Sequence, residues 1–123
     1  MPLSENPKHI FEPTPLSCGQ AVIAMATDTD IEKVCKLCGG YSETDLKQMK
    51  EVFAALGVTV GNTRVAVAHK SELPNYALLS LETPKCWHWS LYISGVFYDP
   101  EYGVLDDFPP SNRRYFWELT NKG

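Results

Sequence analysis

The stretch WHWSLYISGVFYDP, residues 87–100, decides how this chain folds. Strand alternation along residues 87–93 puts Trp87, Trp89, Leu91 and Ile93 on one face and His88, Ser90 and Tyr92 on the other. The first set predicts a core face, the second a polar face that looks into a cleft or solvent. Ser94-Gly95 predicts a tight hairpin, because glycine supplies the positive φ that such turns need. That turn pairs Ile93 with Val96, Leu91 with Tyr98 and Ser90 with Asp99. Opposed residues share a face, so Asp99 falls on the polar face, diagonal to His88. Diagonal cross-strand neighbours lie roughly 7–8 Å apart at Cα, within reach for an imidazole and a carboxylate. A slip of one residue would send Asp99 to the core face. Pro100 ends the strand just past it. Tyr92 and Phe97 share the face of His88 and either line a substrate groove or cover it.

Working outward, the chain changes texture once. Residues 1–16 hold four prolines and no periodicity, which predicts an extended arm. Residues 17–57 read as helices. The first begins at Ser17 or Cys18 and is apolar on nearly every side from Ala21 to Ala26, as a buried helix is. The next is predicted over DIEKVCKLCGG, capped by Asp28 or Thr29 and ended by Gly39 and Gly40. The third carries Leu46, Met49, Phe53 and Leu56 on one face, with Ser42 and Asp45 as a capping box. Residues 58–120 read as strands: VTV, RVAVA, YALLSL, WHWSLYI, VFYD and a last one in RRYFWEL. Helices first and strands second predict an α+β fold, with N-terminal helices packed on an antiparallel β-sheet.

The 123 residues fit one domain, 1–123, with a core of ordinary size. An apolar fraction of 44%, a charged fraction of 21% and a net charge of -4 describe an ordinary globular chain. Nothing in it reads as a basic surface for nucleic acid or a polybasic patch for membranes. There is no apolar run of transmembrane length and no signal-peptide pattern, so a cytoplasmic protein with reduced thiols is expected. A monomer or weak oligomer is the expected state.

Cys18 opens the first helix, where N–H groups and the helix dipole favour an anion; placement of that kind activates thiols. With His88 to move protons and Asp99 to orient the ring, it makes a Cys-His-Asp set for nucleophilic catalysis. Gly19 leaves the nucleophile uncrowded, and the helix N-terminus offers amides to an oxyanion. Taken alone, Cys18 reads more simply as a small core residue and His88 as a half-exposed strand residue, and Asp99 can be read as the start of a turn.

LSCGQAVIAMAT, ETDLKQMKEVFAALGV and HWSLYISGVFYDPEYGV together resemble the bacteriocin-processing (C39-type) cysteine peptidase domain and its stand-alone relatives. That family shows a Cys-Gly pair opening a helix, a capped helix ending in Leu-Gly, a His before an apolar strand, and Asp-Pro closing the next strand. The resemblance spans nearly the whole chain in order. It implies a papain-like fold without a cofactor and a thiol hydrolase acting on a peptide or protein, with Cys18 as nucleophile, His88 as general base and acid, and Asp99 as orienter. The oxyanion and substrate-binding positions fall on Glu12, Ser17 and Gly19. Two residues depart from the family. Glu12 stands where a Gln six residues before the nucleophile usually donates to the oxyanion, which implies weakened activity. Ser17 replaces a residue that is often acidic. Gln20 is no substitute for the missing Gln, because two residues along a helix point to a different side. The double-glycine leader of transporter-linked members is not carried over.

Three alternatives stand beside the hydrolase. One is a binding module on the same fold that has lost catalysis. The second is a deamidase or acyl transferase with the same triad. The third is a zinc module built from Cys35, Cys38, Cys86 and His88. The last needs a C-x-x-C set mid-helix and a second pair without standard spacing, so no metal is expected. Cys35 and Cys38 read more simply as buried helix residues.

Overall fold

Small and branched apolar side chains surround α1 (Cys18–Thr27), and the helix is buried from Gly19 to its end. The structure is a computed structural model that describes residues 3–122. The first two residues of the expected arm and the last residue of the expected domain lie outside the described residues. Ser17 is the N-cap of α1, as anticipated, and Asp28 closes the helix in the left-handed conformation with φ 51. With Asp28 used there, α2 (Ile31–Leu37) is capped by Asp30, not by Asp28 or Thr29; the Asp30 carboxylate accepts from the N–H of Glu32. The third helix, α3 (Leu46–Ala55), is likewise not opened by a Ser42–Asp45 box. Asp45 is itself the N-cap, in extended backbone, and accepts from the Gln48 N–H at 2.8 Å. Met49 and Phe53 are fully buried, with Leu46 and Leu56 packed beside them.

Seven strands follow: β1 (Val58–Val60), β2 (Val65–Ala66), β3 (Tyr76–Glu82), β4 (Trp87–Ile93), β5 (Val96–Asp99), β6 (Gly103–Leu105) and β7 (Arg114–Asn121). They form one sheet in the order β1-β7-β3-β4-β5-β6, with β2 also on β7. Every pairing is antiparallel. The α+β architecture is therefore as expected, helices first and packed on an antiparallel sheet. The last strand is a central one, which its position in the chain does not reveal. The short edge strand β6 has too few residues to show alternation and was not anticipated.

Both faces of the sheet are apolar. On one, Leu78, Leu91, Ile93, Trp117 and Leu119 pack with the three helices. On the other, Leu79, Leu81, Tyr92, Phe97 and Phe116 form a second cluster beneath Leu73, Leu105 and Phe108 from loops and the edge. Two expectations about β4 change as a result. Its polar face does not look into solvent: His88, Ser90 and Tyr92 are all buried. Tyr92 and Phe97 belong to the second core and do not line a groove. Trp87, expected in the core, is 48% exposed and stacks on Tyr115 with Arg113 over its ring. Trp89 is half-buried and its indole N–H donates to the Thr44 carbonyl at 2.9 Å. No helix among the described residues is long and apolar enough to cross a membrane.

Gly19 sets how closely α1 approaches the segment before α3. A Cβ there would collide with Thr44 Oγ1, stand 2.9 Å from Met49 Sδ and 3.2 Å from Trp89 Cδ1. Overpacking of this kind costs about 1–3 kcal/mol. Gly19→Ala is expected to lower the urea midpoint by that amount of stability with an unchanged slope. An unaltered midpoint would show that the contact is looser than described.

Candidate active site

The hairpin register is the anticipated one. Ser94 and Gly95 both have positive φ, at 45 and 96, and Ile93 pairs with Val96, Tyr92 with Phe97 and Leu91 with Tyr98. Asp99 is thereby carried to the side of His88 and is fully buried. Four donors converge on its carboxylate. Oδ1 accepts from His88 Nε2 at 2.9 Å, from the Glu101 N–H at 2.8 Å and from the Tyr102 N–H at 2.9 Å. Oδ2 accepts from Ser90 Oγ at 2.7 Å. Burial by itself would push this carboxyl up. The hydrogen bond and charge of His88, the Tyr102 N–H and the Ser90 hydroxyl outweigh it and hold the pKa below the ordinary carboxylate value.

The ring of His88 is fixed through Nε2, which leaves Nδ1 for a second partner. Burial opposes protonation of the ring. Its hydrogen bond to Asp99, with the neighbouring Asp99 and Cys18, prevails, and the imidazole is pushed up to about 10. β5 reaches only to Leu91 on β4, so the edge of residues 87–90 is open on that side. The start of α1 packs on β4, and Cys18 and His88 line one cleft of about 560 Å³ with Leu16, Thr44 and Trp87. Cys18 is half-buried at the first position of α1. Ser17 makes no side-chain hydrogen bond to the helix. The first-turn N–H groups, which no helix satisfies internally, are thus left for solvent or a ligand.

The remaining expected site residues sit as follows. Ser17 is buried and its hydroxyl is tied to Thr14, accepting from that residue's N–H at 2.9 Å and donating to its carbonyl at 3.0 Å. Its side chain shapes the turn before α1 and does not line the cleft. Gly19 serves close packing against Thr44 and Met49 more than it clears space for Cys18. Glu12 lies where the arm runs beside the end of β5. Its N–H donates to the Pro100 carbonyl at 2.9 Å, and His9 Nε2 donates to the Asp99 carbonyl at 2.6 Å. Glu12 Oε1 is buried with no hydrogen-bond partner among the described residues. Burial, the largest influence, raises its pKa above the ordinary value; His88 and Lys85 pull it down, and Glu101 and Asp99 push it up.

Three contributors escaped the sequence. Ser90 braces Asp99, and its place in the register was the available signal. Gln20, fully buried, donates to the carbonyls of Gly40 at 3.1 Å and Ser42 at 2.8 Å, holding the segment that leads to Thr44. His9 pins the arm, and nothing around it in the sequence announces that. The cysteines outside the cleft are scattered: Cys35 is buried in α2, Cys38 is its C-cap and not mid-helix, and Cys86 is exposed before β4. Among the described residues, no three His, Cys, Asp or Glu side chains converge as a metal set.

No protein-family model matches the sequence, and no curated protein matches it. Among solved structures, a double-glycine-motif protease from an AMS/PCAT transporter, determined in complex with the leader peptide, superposes with TM-score 0.63. The two chains are 14% identical, and the match covers 93% of each. That likeness shows the fold: the chain has the papain-like α+β architecture of a C39 peptidase domain.

The His88–Asp99 pair has a defined pH window. A raised His pKa stabilises the fold below its ordinary value of 6.5, and the contribution is lost as pH rises through about 10. A lowered Asp pKa stabilises above its ordinary value of 3.8, and that contribution is lost as pH falls through the depressed folded value. Both contributions are whole between those two ordinary values. NMR titration is expected to find the His88 ring still protonated at neutral pH, and Asp99→Asn to bring its titration down by more than one unit. The same titration in both proteins would disprove the coupling.

Proposed function

We propose that this protein is a thiol hydrolase that cleaves an amide bond in a peptide or protein. The observation that carries this reading is the buried His88–Asp99 pair sharing a cleft with Cys18 at the start of α1. The Cys18 thiolate attacks the carbonyl carbon. A C–S bond forms and the carbonyl π pair moves to oxygen. When the tetrahedral species collapses, the C–N bond breaks and His88 hands its proton to the leaving amine. Water then attacks the thioester while His88 takes one of its protons; the C–S bond breaks as that species collapses, releasing the acid and restoring the thiolate–imidazolium pair. Asp99 keeps its charge throughout and holds the ring in the tautomer that presents Nδ1 to sulfur.

The leader-peptide complex of the structural neighbour supports a peptide as occupant of the cleft, and the exposed Leu16 and Trp87 at its rim suit an apolar side chain. A deamidase or acyl transferase would use the same steps with a different amide or acceptor. A binding module that has lost catalysis is the competing reading, and the carboxyl of Glu12 beside the site is what favours it.

Profiling against a diverse peptide mixture by mass spectrometry separates these readings. Cleavage by the wild-type protein, abolished in Cys18→Ala and reduced roughly 10²–10⁴-fold in His88→Ala, is expected, the range being that of a general acid–base group. Peptide binding without cleavage, or cleavage that survives Cys18→Ala, would contradict the hydrolase.

A further inference from the structure

We propose that Cys86 is a resolving thiol for Cys18: a hydroperoxide that enters the cleft oxidises Cys18, and Cys86 captures it as an intramolecular disulfide that shuts the cleft until a dithiol reopens it. The inference goes beyond the hydrolase reading and rests on it in one respect, that His88 makes Cys18 a nucleophile. Of the four cysteines, two share one space. Cys18 and Cys86 line the same cleft of about 560 Å³, Cys18 from the start of α1 and Cys86 from the turn before β4. Cys86 is exposed and Cys18 half-buried, so both are open to a small oxidant. Cys35 and Cys38 belong to α2 and its cap and do not line the cleft. Burial raises the pKa of Cys35 and pushes the Cys38 thiol up to about 11, which keeps both protonated and inert.

Two features bring Cys86 within reach. It stands two residues ahead of His88, so the chain holds the Cα atoms of the two within about 7 Å. His88 in turn neighbours Cys18. A disulfide asks for roughly 4.4–6.8 Å between Cα atoms. The Cys86 N–H donates to Thr83 Oγ1 at 3.2 Å, and its carbonyl accepts from the Thr83 N–H and hydroxyl, each at 2.9 Å. Both backbone groups of Cys86 are thus spent inside its own turn, which can tilt toward α1 without breaking a bond between strands.

The Cys18 thiolate attacks one oxygen of the hydroperoxide. An S–O bond forms, the O–O bond breaks, and the second oxygen leaves as water or an alcohol with a proton from His88. Sulfur is oxidised to the sulfenic acid and the peroxide is reduced. The Cys86 sulfur then attacks that of Cys18. The S–S bond forms, the S–O bond breaks, and the oxygen departs as water with the proton of the Cys86 thiol. A dithiol reverses the pairing: its two hydrogens return to Cys18 and Cys86, and it leaves as its own disulfide. Capture by Cys86 stops Cys18 short of the sulfinic acid, which thiols do not reduce.

Reduced wild type, Cys86→Ser and His88→Ala are treated with hydrogen peroxide. Remaining thiols are blocked with iodoacetamide, and each cysteine is mapped by mass spectrometry before and after dithiothreitol. In the wild type a peptide pair joined through Cys18 and Cys86 is expected in the monomer, with the Cys18 thiol regained in dithiothreitol. In Cys86→Ser, an exchange at an exposed position, the pair is absent and Cys18 passes to sulfinic acid that dithiothreitol does not recover. Cys18 that resists peroxide, pairs with Cys35 or Cys38, links two chains, or is regained equally in wild type and Cys86→Ser overturns the role of Cys86. Alkylation of reduced Cys18 that depends on His88 then leaves the hydrolase standing; alkylation indifferent to His88 removes both.

Discussion

A buried carboxylate governs this structure. Asp99 has no exposure to solvent, and a charge in that position is tolerable only if every lone pair has a donor. Side chains of His88 and Ser90 and two backbone N–H groups supply them. The requirement reaches in several directions. It fixes the hairpin register, because one residue of slip would turn Asp99 toward the helices. It fixes the turn after β5, because the N–H groups of Glu101 and Tyr102 must fold back. It also keeps His88 charged and oriented, since the ring is the only cation on the carboxylate among the described residues. Deleting one member of a buried pair of this kind costs about 3–5 kcal/mol, a large share of a small protein's stability.

Cys18 is positioned by packing instead. Gly19 lets α1 sit against Thr44 and Met49 with no Cβ between them. Gln20 hydrogen-bonds the chain ahead of Thr44 from inside the helix, and Trp89 holds the Thr44 carbonyl from the sheet. α1, the α2–α3 connection and β4 are thereby clamped around one wall of the cleft. Cys18 stands at the end of a helix that is buried along its length, so its place relative to His88 is a property of the core and not of a mobile loop.

The parts of this arrangement that alternation and turn chemistry control were legible from the sequence. Ser94-Gly95 and the β4 pattern yielded the register, and with it the pairing of His88 with Asp99. Met49 and Phe53 marked the buried face of α3. What escaped depended on long-range covering. β4 looked one-sided because its even positions are polar, yet that face belongs to a second apolar cluster against which Leu73, Leu105 and Phe108 pack. Trp87 looked like core because it is apolar, yet it is left half exposed at the surface, stacked on Tyr115 with Arg113 over its ring. Asp28 and Asp30 were equal candidates for a cap until the α1 C-terminus used the first. The links of His9 and Glu12 to Asp99 and Pro100 span about ninety residues of sequence and have no local signature.

The central claim is that His88 makes Cys18 a nucleophile, and Cys86 provides an internal reference, being exposed on the same chain. The decisive measurement is the pH dependence of alkylation by iodoacetamide at each cysteine, localised by mass spectrometry, in wild type and in His88→Ala. The account predicts that Cys18 reacts at acidic pH where Cys86 is inert, and that the advantage disappears without His88. Alkylation of Cys18 that tracks Cys86 in both proteins would contradict it and leave a papain-like scaffold without a working thiol.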